Sequence, residues 1–295
     1  MSAPLVEVTD LVKHFPVRGG RRSRDVVRAV DGVSLSIREG ELFGLVGESG
    51  SGKTTFGQTV LRMHDATSGS VRFRGEEILD VPRKDLRGLR PRGQYVFQDP
   101  FGALNPRLTI VDAVGEPMRT HGLATKEDER ERVTAVLEAC GLGADALDRF
   151  PHEFSGGQRQ RIVIARAMAL EPDFVVADEP VSALDVSIQA QIINLFSDLR
   201  DERRTAFLFI SHDLGIVEHL CSRVAIMYRG RVVEQGTREQ IFDAPLHPYT
   251  RELLDAVPIP DPRRRRRHVR ASREWAETAE RPALRDVGDG HLVAL

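Results

Sequence analysis

The order of apolar and polar positions along the chain predicts an α/β fold. Beyond Glu41, apolar runs of strand length alternate with segments of helical period. Short continuous runs are typical of parallel strands buried on both faces, and they cover residues 42–46, 95–97, 174–177, 207–210 and 224–227. We therefore expect a parallel sheet covered by helices. Before and beside it, β-like runs at 5–12, 33–37 and 71–73 predict a small antiparallel sheet.

Between residues 98 and 154 the pattern becomes helical. Candidate helices cover 109–119 and 126–140. Thr125 begins the second, and Asp128 three residues later completes the spacing of a capping box. This region is therefore interpreted as a helical insertion in the α/β core.

The C-terminal part begins with short helical patterns and ends in polar sequence. The helical patterns cover 238–242 and 249–257, and prolines follow from Pro258. Residues 259–295 are arginine-rich and contain few large apolar side chains. Such a composition predicts a flexible tail.

A glycine-rich loop directly follows the run 42–46 and precedes a helical pattern at 54–63. It matches G-x-x-x-x-G-K-[ST] at every fixed position, and its candidate nucleotide-binding residues are Gly47, Glu48, Ser49, Gly50, Ser51, Gly52, Lys53, Thr54 and Thr55. Glycines let backbone N–H groups converge on phosphate oxygens, and the helix N-terminus adds partial positive charge. Lys53 can reach the β- and γ-phosphates, and the Thr54 hydroxyl can ligate Mg²⁺. The motif predicts nucleotide binding by a P-loop NTPase (RecA-like) core.

Two acidic residues end the buried run 174–177. Asp178 is placed to hold Mg²⁺ through water, and Glu179 can polarise a water in line with the γ-phosphate. Alone, such a pair is as often a turn or a helix cap, but beside a phosphate loop it favours catalysis. A carboxylate directly after the Mg²⁺ aspartate favours attack by water, and therefore hydrolysis over phosphoryl transfer to a second substrate.

A second glycine-rich element begins the helical pattern 159–169, and it comprises Ser155, Gly156, Gly157 and Gln158. Ser155 and Gln158 can form a capping box. Two glycines weaken the first turn of a helix, which indicates that something, such as an anion, approaches its backbone. Together with the phosphate loop, the element resembles the ATP-binding cassette (ABC) ATPases, whose signature motif is Leu-Ser-Gly-Gly-Gln. Phe154 replaces the leucine and keeps an apolar anchor.

The resemblance assigns roles to further residues. Gln98 matches the glutamine that approaches Mg²⁺ and the attacking water, where the membrane subunit docks. His212 matches the histidine that contacts the γ-phosphate, and we predict that Glu179, His212 and Gln98 are catalytic. Phe15 resembles the aromatic residue that stacks on adenine, although an arginine-rich insertion at 18–28 follows it.

The same resemblance implies an active site shared between two subunits. The phosphate loop of one cassette and the 155–158 signature of another enclose each ATP, with Thr54, Gln98 and Asp178 at the Mg²⁺. Asp185 matches the loop that communicates between the subunits, and it can also cap the helix that follows it. The implied partners are a second ABC ATPase, as a homodimer or heterodimer, and two membrane permeases.

Some stretches resemble the peptide and nickel importer branch of this family; they cover 97–107, 150–161, and 247–258 with its His-Pro-Tyr run. The last stretch also predicts a helix that begins at a proline and packs on the core through Tyr249, Leu253 and Leu254, and this physical role is compatible with the resemblance. Many branch members carry a cysteine cluster after this run that can hold an iron–sulfur centre. Here no cysteine follows Cys221, so we expect no such cluster.

Composition and charge limit the binding partners and the cellular location that we expect. Lys and Arg total 42 and Asp and Glu total 44, a net charge of −2, so we expect no nucleic-acid partner. Two cysteines, Cys140 and Cys221, are too few for a disulfide framework and favour a reducing compartment. No apolar run approaches the roughly 20 residues of a membrane span, and residues 1–15 lack the pattern of a secretory signal. These features predict a cytosolic protein, and the resemblance to ABC ATPases implies a peripheral subunit at the cytoplasmic face of the plasma membrane.

Taken together, the motifs predict the ATPase subunit of an oligopeptide or dipeptide importer. Its cassette would cover 5–258, with a helical subdomain at about 99–170 and a C-terminal extension at about 237–258. A solute-binding protein would act through the assembled complex. Nickel, glutathione or sugar as the solute, and a soluble ABC ATPase without a transport role, stay open as alternatives.

Overall fold

The computed structural model describes residues 3–17, 26–182, 184–256 and 282–295. In this part of the chain the strands are β1 Val6–Pro16, β2 Val26–Ile37, β3 Leu42–Val46, β4 Ser68–Phe73, β5 Glu76–Glu77, β6 Gly93–Val96, β7 Phe174–Asp178, β8 Ala206–Ser211, β9 Arg223–Tyr228, β10 Arg231–Thr237, β11 Leu284–Asp286 and β12 Leu292–Ala294. The α-helices are α1 Lys53–Val60, α2 Pro100–Ala103, α3 Ile110–His121, α4 Glu129–Ala139, α5 Gly156–Met168, α6 Val186–Arg203, α7 Leu214–Leu220, α8 Arg238–Phe242 and α9 Pro248–Ala256. Short 3₁₀ helices span Arg83–Gly88, Ala144–Ala146 and Pro151–Glu153.

The larger sheet has the strand order β11-β12-β10-β9-β3-β8-β7-β6. Its part from β9 to β6 is parallel. Every residue of β3, β7 and β8 is buried, which explains their continuous apolar runs. The predicted α/β fold is therefore confirmed.

The two faces of this sheet pack against different elements. One face packs against α1 and the antiparallel sheet of order β2-β1-β4-β5, with Phe43 and Phe56 in the core between them. The opposite face packs against helices, and the Phe196 ring of α6 lies edge-on to Phe207 and Phe209 of β8. The predicted antiparallel sheet is confirmed.

Helices α2 to α5 lie between β6 and β7 along the chain, where the sequence predicts helices. Helix α4 begins at Glu129, three residues after the predicted start. The backbone N–H and the hydroxyl of Thr125 donate to Asp128 Oδ1 at 2.6 and 2.9 Å. The aspartate thus closes a turn before the helix and itself occupies the N-cap, so the predicted capping box is wrong. Of the helices in the described residues, none is both long and apolar enough to cross a membrane.

The end of the chain joins the larger sheet. β12 pairs with β10 and β11, and Val293 is fully buried. His291 forms a buried ion pair with Glu234 of β10, with 2.8 Å between Nε2 and Oε1. The predicted flexible tail is therefore wrong for residues 282–295, because the edge of β10 supplies backbone partners that composition does not reveal. Residues 257–281, and 18–25 of the predicted insertion, lie outside the described residues.

Candidate functional site

The glycine-rich loop joins β3 to α1 and is held tightly from both sides. A Cβ atom on Gly47 would collide with the carbonyl oxygen of Met227, and one on Gly52 with that of Ala29. Gly52 also has a φ of 105°, a conformation that L side chains rarely adopt. Glycine is therefore required at both ends of the loop. Gly52 is also the N-cap of α1, so the loop lies at the N-terminus of this helix.

The Lys53 side chain turns into this loop. Its ammonium donates to the carbonyl oxygens of Gly47 and Glu48 at 2.7 and 3.0 Å. Burial lowers the pKa of Lys53, while the nearby carboxylates of Glu179 and Asp178 oppose that fall. Phosphate oxygens can take the place of the two carbonyls, because they offer the ammonium stronger, charge-assisted hydrogen bonds.

Asp178 is held by two hydroxyl groups. The Thr54 hydroxyl donates to Oδ1 at 3.2 Å, and the Tyr95 hydroxyl donates to Oδ2 at 2.6 Å. Burial raises the pKa of Asp178, and these two hydrogen bonds oppose the rise. The oxygens of Thr54 and Asp178 are of the type that Mg²⁺ prefers, so the pair fits that ion. Tyr95 could not be predicted from the sequence, because an aromatic residue in a strand does not differ locally from an ordinary core residue.

The Glu179 carboxylate brings the three predicted catalytic side chains together. Gln98 Nε2 donates to Glu179 Oε2 at 2.9 Å, and His212 Nδ1 lies 3.2 Å from the same oxygen. The Glu179 backbone has a φ of 45°, which is uncommon for a residue other than glycine, and its N–H donates to the carbonyl oxygen of Ile210 at 2.9 Å. This conformation holds the carboxylate beyond the ends of β7 and β8.

These side chains border a cleft of about 1060 Å³. From the predicted set it is lined by Phe15, Ser49, Gly50, Gly52, Lys53, Thr54, Thr55, Gln98, Glu179 and His212. The Phe15 ring lies edge-on to His64, with 5.6 Å between ring centroids. Arg28 and Arg229 also line the cleft. Sequence reasoning missed both, because nothing in the local pattern separates them from surface arginines.

Comparisons with known proteins agree with this geometry. The family profile described as "ABC transporter" matches residues 30–182. The chain belongs to the ABC transporter family. ATP hydrolysis is the activity of this family, and the P-loop ATPase fold of the cassette accords with it.

Relatives of the cassette include oligopeptide transport ATP-binding proteins. OppF of Bacillus subtilis (strain 168) is 45% identical over 299 residues, covering 99% of this chain and 96% of the relative. OppF of Escherichia coli (strain K12) is 48% identical over 263 residues, covering 88% and 79%. A dimeric structure of the cassette MJ0796, in a post-hydrolysis state bound to ADP and Pi, is similar with a TM-score of 0.71. It is 28% identical and covers 79% of this chain and 98% of that chain. A second profile, "Oligopeptide/dipeptide transporter, C-terminal region", matches residues 233–283.

The signature residues of the cassette do not line the cleft. Ser155 Oγ accepts the Gln158 N–H at 3.4 Å, and Gln158 Oε1 accepts the Ser155 N–H at 3.0 Å, so the predicted capping box is confirmed. A Cβ atom on Gly157 would collide with Ile188 of α6, whereas one on Gly156 would meet nothing nearer than ordinary contact distance. Packing within the chain therefore explains Gly157 and leaves Gly156 unexplained.

Asp185 occupies the N-cap position of α6, but its side chain makes no capping hydrogen bond. The alternative that it caps this helix with its carboxylate is therefore wrong. The side chain is exposed and does not line the cleft, although Ser182 links this loop to Glu179 by donating to its carbonyl oxygen at 3.1 Å. An exposed carboxylate at a helix start leaves Asp185 accessible to another molecule.

Proposed function

We propose that this cassette is the ATP-binding, ATP-hydrolysing subunit that powers the import of oligopeptides or dipeptides through a membrane ABC transporter. The main support for peptides as the transported solute is the match of residues 233–283 to the C-terminal region of oligopeptide/dipeptide transporters. The two OppF relatives, which are named for oligopeptide transport, support the same class.

In the proposed reaction, Lys53 and the loop amides bind the β- and γ-phosphates of ATP. Glu179 orients the attacking water and accepts its proton, while Gln98 and His212 hold the carboxylate beside the γ-phosphate. Thr54, Gln98 and Asp178 would hold Mg²⁺, which would supply positive charge against the phosphate oxygens. Phe15 stacks on the adenine.

The active transporter would contain a second cassette, because the signature residues 155–158 form a cap at the start of their own helix and do not line the cleft. In a dimer they would cover the ATP of the partner, and Asp185 would lie between the subunits. The dimeric MJ0796 cassette supports this arrangement. Two permease subunits and, through them, a solute-binding protein complete the complex at the cytoplasmic face of the membrane.

The proposal is tested by isolating the tagged native protein from membranes and reconstituting the complex in vesicles. We expect permease subunits to accompany the cassette and radiolabelled oligopeptides to enter vesicles only with ATP and the binding protein. Recovery without permeases would contradict the transport role. ATP-dependent uptake of nickel, glutathione or a sugar in place of peptides would contradict the transported class.

A further inference from the structure

The helix of the His-Pro-Tyr run contacts the phosphate loop. The Tyr249 hydroxyl of α9 accepts the backbone N–H of Glu48 at 3.2 Å, although 201 residues separate the two along the chain. The Tyr249 side chain is buried, and its ring packs against Tyr228 with 4.5 Å between centroids. Burial raises the pKa of Tyr249 to about 12, so the group that accepts this N–H at physiological pH is the neutral hydroxyl. The C-terminal extension therefore reaches the first turn of the loop.

The Glu48 backbone is central to the shape of the loop. Its carbonyl oxygen accepts the Ser51 N–H at 3.1 Å and the Lys53 ammonium at 3.0 Å. The Ser51 carbonyl oxygen in turn accepts the Gly230 N–H at 2.8 Å. With Tyr249 on the N–H of Glu48, the first turn is thus held from outside by α9 and by the turn between β9 and β10.

Tyr249 is itself held in place by a buried carboxylate. Glu234 is fully buried and accepts the backbone N–H groups of Leu246 and His247 at 2.7 and 3.1 Å. His247 Nδ1 accepts the Tyr249 N–H at 3.1 Å. Glu234 Oε1, which accepts the Leu246 N–H, also pairs with His291 Nε2 of the C-terminal hairpin. The turn that begins α9 is therefore tied to the larger sheet.

We propose that Tyr249 is a positioning residue for the phosphate loop, and that its hydroxyl holds the Glu48 peptide in the conformation that binds nucleotide. Without this contact the loop would be correctly shaped for a smaller fraction of the time, and the apparent affinity for ATP would fall by that fraction. The inference rests on the proposed nucleotide-binding role of residues 47–54.

The test is Tyr249→Phe in the full-length protein, which removes the hydroxyl and keeps the ring. We expect the dissociation constant and KM for ATP to rise about three- to tenfold, the range typical of one hydrogen bond, while kcat stays within about twofold. Hydrogen exchange of a peptide containing residues 46–51 should quicken without nucleotide. This second measurement reports the contact independently of any ATP binding.

The matched control is Thr250→Val, which removes a buried hydroxyl from the next residue of α9. Thr250 Oγ1 makes no hydrogen bond among the described residues. We expect its ATP affinity and loop exchange to match those of the wild type. An unchanged ATP affinity in Tyr249→Phe, or an equal loss in Thr250→Val, would overturn the proposal. If the wild type and Lys53→Ala bound ATP equally, the nucleotide role of the loop would fail, while the exchange of residues 46–51 would still test the contact.

Discussion

The phosphate loop and the signature turn are both glycine-rich segments at the start of a helix. They differ in the side chains that surround them. In the cleft, Lys53, Gln98 and His212 lie near Glu179, and each comes from a different part of the chain. At the signature turn, Ser155 and Gln158 bond to each other across their own helix cap. The cleft brings polar side chains of one chain together, whereas the signature turn contributes none of its side chains to the cleft and is left available to another molecule.

The glycines of the two regions show the same contrast. Gly47 and Gly52 are required by neighbouring backbone, and Gly157 by the Ile188 side chain. A Cβ atom on Gly156 would make only ordinary contact, at 3.7 Å from Leu184. A glycine that the chain itself does not require indicates close approach by something outside it, which agrees with a cleft completed by a second cassette.

The largest effect is expected for Glu179→Gln. The amide keeps the shape of the side chain but cannot accept a proton, so ATP hydrolysis should fall about 10²- to 10⁴-fold while ATP binding is retained. Size-exclusion chromatography with ATP should then show a trapped dimer. Glu76→Gln on exposed β5 is the control. A loss of less than about tenfold, or 1.4 kcal/mol, would count against Glu179 as the main catalytic carboxylate.

Lys53→Ala tests the cleft alone. The variant loses the charge-assisted hydrogen bonds to phosphate, and we expect the dissociation constant for ATP to rise about ten- to hundredfold. Fluorescence titration with a labelled nucleotide measures it, with exposed Lys84→Ala as the control. Equal ATP binding by Lys53→Ala and the wild type would refute the role given to the loop.

The two signature glycines separate packing from function. Gly157→Ala pushes a methyl group into the stiff, β-branched Ile188, and we expect it to destabilise the protein by about 1–3 kcal/mol. Gly156→Ala should unfold at the same temperature as the wild type or above it, yet lose ATP-driven dimerisation and hydrolysis. Calorimetry and light scattering distinguish the two outcomes. If Gly156→Ala hydrolysed ATP normally, the idea of a close external approach would be abandoned.

Phe15→Ala should have the smallest effect. An aromatic contact contributes about 0.5–1.5 kcal/mol, so ATP binding should weaken roughly two- to tenfold. Binding of inorganic tripolyphosphate should be unaffected, because it lacks a base. Equal weakening for both ligands would show that Phe15 supports the loop and does not stack on adenine.

Much of the cleft could be predicted because its constraints are local. The phosphate loop needs glycines, a lysine and a helix start within a few residues, and the signature cap needs Ser155 and Gln158 three residues apart. Buried strands such as β3, β7 and β8 appear as apolar runs because both of their faces are covered. Asp178 and Glu179 follow one of these strands, so their place at the edge of the sheet could also be inferred.

Other contacts depend on residues distant in sequence. Tyr95 bonds to Asp178 across 83 residues, and Tyr249 to Glu48 across 201. Neither tyrosine differs locally from a core aromatic. The hairpin of β11 and β12 was missed for a related reason, since strands of three residues leave almost no periodic pattern.

The sequence by itself thus determined the α/β fold, the phosphate loop and the places of the candidate catalytic residues, because each depends on spacing within one or two adjacent elements. The tertiary structure decided which side chains support them. It placed Tyr95 on Asp178 and α9 against the loop, and it paired the end of the chain with β10. These contacts follow from the shared burial of distant segments in one core, which no local pattern encodes.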